Sequence, residues 1–209
     1  MPEPVDPLIP LSLLEAVRTV DMPDNDFEAE FVHELRNKRL GLSDTVFAQI
    51  KRFSEAVRRK QRTDFAEAVG IARLIGRRPD AEAVFREAGR HFARQVYLTI
   101  SPLTRRLLRS LPALFTRPIA LRHVRRIVQR YARGTVRRVG GTIMMEIGDS
   151  VTRDATPKLG GCVYYESALR ELIQLMVGGV GAVDHVRCAS RGERSCEWRA
   201  EWRPVRGKG

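Results

Sequence analysis

The pattern of apolar residues changes at Gly140 and Gly141, and this change constrains the fold more than any other feature of the sequence. Before it, apolar residues recur at three- and four-residue spacing, which is the period of amphipathic helices. After it, residues 142–147, 183–187 and 196–202 have the pattern of short strands, and a turn joins the last two. Helices followed by a small antiparallel sheet predict an α+β fold.

The first part of the chain is predicted to be helical throughout. Capping residues and apolar stripes place helices at about 11–19, 25–38, 44–59, 64–76 and 79–101. Residues 102–139 continue this pattern, with breaks expected at Pro112 and Pro118, and they end in one long helix over 119–139. A further helix is predicted over 164–176.

Charge is distributed unevenly along the chain, whose net charge is +12. Residues 1–34 hold nine acids and one base, whereas residues 101–140 hold eleven arginines and no acid. This asymmetry predicts either that the basic segment faces nucleic acid or acidic lipid, or that the acidic segment folds back onto it within the chain or across a dimer. Positive charge alone therefore does not indicate DNA binding.

The helix predicted over 119–139 is amphipathic and strongly basic. Its apolar face carries Val124, Ile127, Val128 and Tyr131, and its basic face carries Arg122, Arg126, Arg130, Arg133 and Arg137. Clustered bases are what phosphate contacts need, so a nucleic-acid-binding protein is one interpretation. Aromatic residues that could stack on bases are scarce there, however, and a solvated helix face partly neutralised by the acidic segment is the interpretation that we favour.

Composition and the amino terminus narrow the class of protein. Of the 209 residues, 43% are hydrophobic and 30% are charged, as in ordinary globular proteins. No apolar run approaches the roughly 18 residues of a transmembrane helix, and acids stand where a secretory signal needs bases. We therefore expect a cytoplasmic protein without a membrane span. In that reducing compartment, three cysteines point to thiol or metal chemistry rather than to disulfides.

Four potential metal ligands occupy the last quarter of the chain with the spacing C-x22-H-x2-C-x7-C: Cys162, His185, Cys188 and Cys196. An x2 pair lets one tight turn present two ligands to one ion. Residues three apart on a regular strand face opposite sides, so metal binding requires a bend near Arg187. A hairpin folded about Gly192 would set Cys188 against Cys196. Cys162 could then supply the fourth ligand from the start of the preceding helix.

Two other interpretations of these residues stay open at this point. Cysteines are often simply buried as small apolar residues, and a lone histidine usually serves as a hydrogen-bonding group. A disulfide between Cys188 and Cys196 is geometrically possible, although a reducing compartment disfavours it. If zinc does bind, four protein ligands leave no open position for water, so the site would be structural rather than catalytic.

The residues from about 89 to 202 resemble the 4-vinyl-reductase-like domain, most clearly in CVYYESALRELIQLM and DHVRCASRGERSCEW. This family is similar to the transport protein particle subunits and to haem-based nitric-oxide-binding domains. The resemblance implies a helical layer packed on a small twisted antiparallel sheet, often in a homodimer. We divide the chain into an acidic helical arm at 1–40, a ligand-binding domain of this type at 41–204 and a disordered tail at 205–209.

The resemblance also implies a zinc site. In the family's aromatic-sensing members, the amino-terminal domains of phenol- and xylene-responsive activators, a cysteine, a glutamate and two more cysteines hold a structural zinc at these intervals. The corresponding residues here are Cys162, His185, Cys188 and Cys196. His185 stands in place of the family's glutamate, and imidazole is an equally competent zinc ligand.

The function that the resemblance implies is that of a sensory or ligand-binding domain for a hydrophobic small molecule, acting through an unidentified protein partner. The ligand would bind between the helices and the sheet, and the candidate lining residues are Phe92, Val96, Tyr97, Met144, Tyr164 and Tyr165. Ordinary core is the default interpretation of each of them, because apolar residues at helical spacing generally pack against one another. The polar pair that grips phenol in the sensing relatives is not identifiable, so phenol itself is not implied.

An enzyme is not expected. The sequence has no G-x-G-x-x-G motif, because Asp184 stands where a third glycine would follow Gly179 and Gly181. No serine or cysteine nucleophile is paired with a base at informative spacing. Besides the nucleic-acid-binding interpretation, a structural dimeric adaptor without a ligand, as among the transport-particle relatives, remains an alternative.

Overall fold

A computed structural model describes residues 3–22, 40–155, 160–179 and 181–201 of the chain. Its α-helices are α1 (Leu8–Asp21), α2 (Asp44–Arg58), α3 (Phe65–Gly76), α4 (Ala81–Leu98), α5 (Pro102–Ser110), α6 (Ala113–Ile127) and α7 (Val163–Val177). The helices predicted at 11–19, 44–59, 64–76, 79–101 and 164–176 are confirmed to within a few residues. The predicted helix at 25–38 and the predicted tail at 205–209 lie outside the described residues.

Four strands form one antiparallel sheet in the order β1-β2-β4-β3. They are β1 (Thr135–Val139), β2 (Thr142–Ile147), β3 (Val183–Arg187) and β4 (Cys196–Glu201). A tight turn at Gly140 and Gly141 joins β1 to β2, and β2 pairs with β4 so that Ile147 lies opposite Cys196. The α+β class predicted from the sequence is confirmed.

The predicted helix over 119–139 is wrong at its carboxy-terminal end. A π-helical turn at Val128–Ala132 follows α6, and Arg133 then adopts a left-handed conformation with a φ of 52°. Gly134 lets the chain turn into the sheet, because a Cβ atom there would overlap a carbonyl oxygen of β2. The apolar spacing of residues 135–139 suits a helix, but their hydrogen bonds to β2 make them a strand.

Pro118 does not end a helix, in contrast to the prediction. The break at Pro112 is real, since α5 ends before it and α6 begins after it, but α6 runs through Pro118. Proline removes one helical hydrogen bond while its own φ remains helical. Packing of the following buried residues Ala120, Leu121 and Val124 in the core favours continuation of the helix.

One face of the sheet is covered by helices. On β2 the buried residues Ile143, Met145 and Ile147 alternate with half-buried ones, so every second side chain points into the core. The helix α7 packs against β3 and β4, α4 packs against α7, and α1 packs against α4. This is a helical layer on a small antiparallel sheet, and the candidate site lies where the sheet meets the start of α7.

The amino-terminal helix α1 belongs to the same hydrophobic core as the rest of the protein. Ile9 and Leu13 are buried in that core. Ahead of the helix, Glu3 forms an ion pair with Arg133 at 2.6 Å, so the start of the acidic segment folds back onto the basic segment within one chain. Within the described ranges, no helix is long and apolar enough to cross a membrane.

Candidate metal centre and neighbouring cavity

The four residues predicted as metal ligands come from separate elements. Cys162 ends a 3₁₀ turn that leads into α7, and His185 lies on β3. Cys188 follows β3, and Cys196 is the first residue of β4. Because β3 pairs with β4 and α7 packs against both strands, the four side chains converge at one end of the sheet.

The ligand atoms of these four side chains all lie within 4.8 Å of one another. The Sγ atoms of Cys162 and Cys188 are 3.9 Å apart. A tetrahedron with zinc–sulfur bonds of about 2.3 Å has an edge of about 3.8 Å, so this spacing suits zinc. All three cysteines are buried free thiols, and the disulfide between Cys188 and Cys196 is not formed. The four residues are therefore close enough to hold a metal ion.

Two features of the β3–β4 hairpin make this convergence possible. The pairing shifts between His185 and Arg187, which leaves Val186 as an extra, bulged residue on β3. The bend that the spacing requires near Arg187 is thereby confirmed. Gly192 ends the 3₁₀ turn at Ala189–Arg191 with a φ of 92°, a conformation that glycine adopts without strain.

The thiols of the cluster share hydrogen bonds. The hydrogen bond with Cys162 is the main reason why the pKa of Cys196 is lowered to about 4, and His185 lowers it further. The same hydrogen bond and burial raise the pKa of Cys162. The backbone N–H of Ala189 also donates to Cys196 Sγ, at 3.4 Å. The cluster therefore stabilises a thiolate, which is the form of cysteine that binds metal ions.

His185 contributes a nitrogen that lacks a partner. Its Nε2 atom is buried and accepts no hydrogen bond within the described part of the chain, and its ring stacks on Trp198 with centroids 4.9 Å apart. An unpartnered buried polar atom costs free energy, and coordination of a metal would offset that cost. Three thiolates and one imidazole suit zinc and leave no coordination position open, as in structural sites.

A small apolar cavity lies between the sheet and the helices. Its walls come from α1, α4, α6 with its π-helical turn, β2 and α7, and they include Ile9, Phe92, Ile127, Tyr131, Met145, Tyr164 and Tyr165. The space open to the centre of a water molecule is about 20 Å³. That is room for about one water molecule, so the side chains nearly fill the cavity.

The structure brings together half of the residues expected to line a ligand cavity. Those that line it are Phe92, Tyr164 and Tyr165. The three expected residues that do not line the cavity are Val96, Tyr97 and Met144. Val96 and Tyr97 are buried on α4 but face other parts of the core. Met144 lies on the opposite face of β2 from Met145, which does line the cavity, because successive strand residues alternate between faces.

The prediction missed the contribution of α1 to this cavity. Ile9 lines it, and the Ser12 hydroxyl shares a hydrogen bond of 3.0 Å with the Tyr164 hydroxyl. Burial raises the pKa of Tyr164, which keeps its hydroxyl protonated. The apolar stripe of α1 predicts that this helix is buried but not which core residues it meets. For Met145, the alternation along β2 is a signal that the sequence does contain.

A row of aromatic rings connects the cavity with the metal centre. It runs through Tyr131, Phe92, Tyr164, Tyr165, Trp198 and His185, with successive ring centroids 4.9–5.9 Å apart. These distances are those of rings in direct contact. Trp198 is the one ring between Tyr165, which lines the cavity, and His185, a candidate ligand. The two sites therefore share a continuous packed wall.

Comparisons with protein-family models, curated proteins and solved structures gave no match for this chain. The geometry and chemistry of its own residues therefore carry the functional interpretation.

Proposed function

We propose that this chain is a sensory domain of the 4-vinyl-reductase-like type that binds a hydrophobic small molecule, is stabilised by a structural zinc ion and has no catalytic activity. One observation carries the proposal: the aromatic wall of the apolar cavity continues without interruption to the candidate metal centre. Displacement of a cavity-wall side chain would shift the neighbouring rings and, through Trp198, the strands of the sheet. A partner protein bound to the sheet could recognise that shift.

Zinc is the metal that this donor set favours. Thiolates and imidazole suit zinc, whereas magnesium and calcium take oxygen ligands. The ion would be held by Cys162, His185, Cys188 and Cys196. Bound there, it would supply folding free energy by tying the start of α7 to the β3–β4 hairpin. Loss of the metal should consequently loosen this corner of the sheet.

The cavity favours an apolar ligand with at most one polar group. Its walls are aliphatic and aromatic, and the Tyr164 hydroxyl, bonded to Ser12, is a polar group beside it. Because the open space is only about 20 Å³, a larger molecule can enter only if a wall side chain moves. Ile9 comes from α1, so its displacement would move that helix and provide a readout of binding.

We also propose that the chain forms a homodimer, and exposed apolar side chains on α5 and α6 support this. Leu103 and Leu107 lie four residues apart on α5 with exposed fractions of 79% and 46%, and Phe115 on α6 is 57% exposed. Residues four apart lie on one face of a helix, so the two leucines form an apolar strip. Apolar strips of this kind are often covered by a second subunit.

Native mass spectrometry of the full chain, purified without added metal, tests the metal and dimer proposals together. The expected spectrum shows a dimer with one zinc ion per chain. A metal-free monomer would overturn both.

The ligand proposal is tested separately with toluene and 1-octanol as apolar probes in isothermal titration calorimetry. Saturable binding of either probe is expected, with amide NMR shifts at Phe92 and Met145. Absence of binding by both probes to zinc-loaded protein would contradict the ligand proposal. In that case a structural adaptor without a ligand becomes the better proposal for the function of this chain.

A further inference from the structure

A second, more open pocket shares Ile127 and Tyr131 with the apolar cavity. Its volume is about 300 Å³, at the lower end of the range of small-molecule sites. One wall is the turn from α4 into α5, with Ser101 and Thr104, and the other is the end of α6. The wall from α6 brings basic side chains to the pocket.

The charge in this pocket is positive only. Its charged lining residues are Arg126 and Arg130, and no aspartate or glutamate lines it. Neither arginine forms an ion pair with any of the described residues, whereas Arg133 on the same segment pairs with Glu3 at 2.6 Å. The Arg130 guanidinium lies over the Tyr131 ring, 5.3 Å from its centroid. Both exposed arginines therefore line one pocket that has no acidic lining residue, and Arg130 also borders a neighbouring pocket that contains Asp6.

Like charges lie close together where α6 leads into its π-helical turn. His123 and Arg126 lie three residues apart at the end of α6, and Arg130 follows four residues later in the π-helical turn, so the two arginines lie on successive turns. Like charges four residues apart destabilise a helix, and an anion between them would offset this repulsion. Burial, Arg126 and Arg122 lower the pKa of His123, which leaves a neutral imidazole able to donate a hydrogen bond.

The opposite wall supplies hydroxyl groups. Ser101 Oγ accepts a hydrogen bond from the backbone N–H of Thr104 at 3.2 Å and lies 2.8 Å from Thr104 Oγ1. The pocket therefore combines two guanidinium groups, one imidazole and hydroxyls. Guanidinium groups bind carboxylates and phosphates through paired hydrogen bonds, so this set recognises such an anion.

The position beside the cavity indicates what the anion is attached to. Only Ile127 and Tyr131 line both spaces, and the Tyr131 ring contacts Phe92 in the cavity with centroids 5.6 Å apart. A molecule with its charged end in the pocket could pass its apolar part between these two side chains toward Phe92.

We propose that this pocket binds the anionic head group, a carboxylate or a phosphate monoester, of an amphipathic ligand whose apolar part enters the cavity. The inference rests on the proposed function, because the cavity must accept the apolar part. A small anion is favoured over nucleic acid, since the two arginines line a recess and the aromatic residue beside them, Tyr131, is buried rather than exposed for stacking on bases.

The test compares probes that share one apolar chain: octanoate, octyl phosphate and the neutral 1-octanol. Each is titrated into the zinc-loaded full chain, into the double variant Arg126→Gln/Arg130→Gln and into the control Arg73→Gln/Arg106→Gln. The control removes the same charge from exposed arginines outside the pocket. Glutamine retains helix propensity, and circular dichroism verifies that each variant is folded.

The expected result is that octanoate or octyl phosphate binds the wild type at least about tenfold more tightly than 1-octanol. The double variant should lose that advantage and still bind 1-octanol, whereas the control should behave as the wild type. Equal binding of charged and neutral probes to the wild type would overturn the inference and leave the proposed function intact.

Two further outcomes distinguish failure of the proposed function from nucleic-acid binding by the same arginines. If no probe binds at all, the proposed function fails and the inference fails with it. A 20-base-pair DNA duplex serves as a competitor: if it binds with a steep salt dependence that the double variant loses, while the octyl probes do not bind the pocket, these arginines contact phosphate backbone instead.

Discussion

The metal centre and the cavity lie at two ends of one aromatic row, but they are constructed in opposite ways. At the metal centre, four ligand atoms from short, separate segments come within 4.8 Å of one another. At the cavity, apolar side chains from four helices and a strand enclose a space of about 20 Å³. The first depends on a few directional bonds, and the second on many weak contacts.

The metal centre should be more sensitive to substitution of a single residue than the cavity is. Loss of one ligand removes a whole coordination site, so the free energy of unfolding should fall sharply. Loss of one cavity side chain removes a fraction of the packing, and the cost scales with the volume left empty. Substitutions at the two ends and between them test this view.

The largest effect is expected for Cys196→Ser. Structural zinc contributes roughly 10–16 kcal/mol of apparent binding free energy in small zinc domains, so loss of one thiolate should cost about 5 kcal/mol or more. The measurement is the free energy of unfolding together with zinc content by mass spectrometry. The control is Ser190→Ala, on the exposed turn next to the cluster. Equal stability of Cys196→Ser and the wild type, with and without a chelator, would refute a structural metal.

Ile9→Ala tests the opposite end of the row. Truncating this buried side chain should cost about 2–5 kcal/mol, and it should enlarge the cavity so that toluene binds more tightly. Leu13→Ala is the matched control, because Leu13 is equally buried on α1 but does not line the cavity. Denaturant unfolding and calorimetry with toluene measure both effects. The same toluene affinity in both variants would show that Ile9 does not restrict the cavity.

Trp198→Phe tests the link between the two ends. The smaller ring should cost about 1–3 kcal/mol in the core, and its reduced stacking area on His185 should lower zinc affinity by about tenfold. Competition with a zinc-binding dye measures the affinity. Phe85→Leu, at a buried α4 position outside the row, should leave it unchanged. Unchanged zinc affinity in Trp198→Phe would mean that the two ends are independent.

The smallest effect is expected away from both ends, at the Arg78–Asp80 ion pair of 2.8 Å. The hydrogen bond from Arg78 lowers the pKa of Asp80, so folding favours the ionised carboxylate. Its contribution is present above the ordinary pKa of 3.8 and is lost as the pH falls below that value. Asp80→Asn should therefore cost at most about 1 kcal/mol at pH 7 and less at pH 3. Denaturant unfolding at both values measures this, and a difference that grows at low pH would contradict the assignment.

The sequence predicts the metal centre better than the cavity. The x2 spacing of His185 and Cys188 already requires a bent strand, and the structure has a bulge between His185 and Arg187. Metal ligands are few in kind, and their spacing restricts the turns between them, so they can be recognised in a single sequence. Cavity residues have no such signature, because any apolar side chain on an inward face can line a cavity or simply pack.

The basic segment shows how local pattern can mislead. The spacing from Ile119 to Tyr131 correctly predicts a helix, and the next residues continue the same pattern. Yet residues 135–139 form β1, because Gly134 allows close approach to β2 and pairing satisfies their backbone groups. The pairing of β1 with β2 forms only when the chain folds. The spacing of apolar residues within 135–139 therefore cannot indicate it.

Residue type and short-range spacing indicate most of the helices, three of the four strands, the four candidate ligands and the uneven distribution of charge, because each of these is a local property of the chain. The folded structure was needed to show that α1 closes the cavity, that Met145 rather than Met144 faces it and that Arg126 and Arg130 line a common pocket without an acidic lining residue. These relations depend on how distant segments pack together. Packing is set by the sum of many weak contacts, which no short stretch of sequence contains.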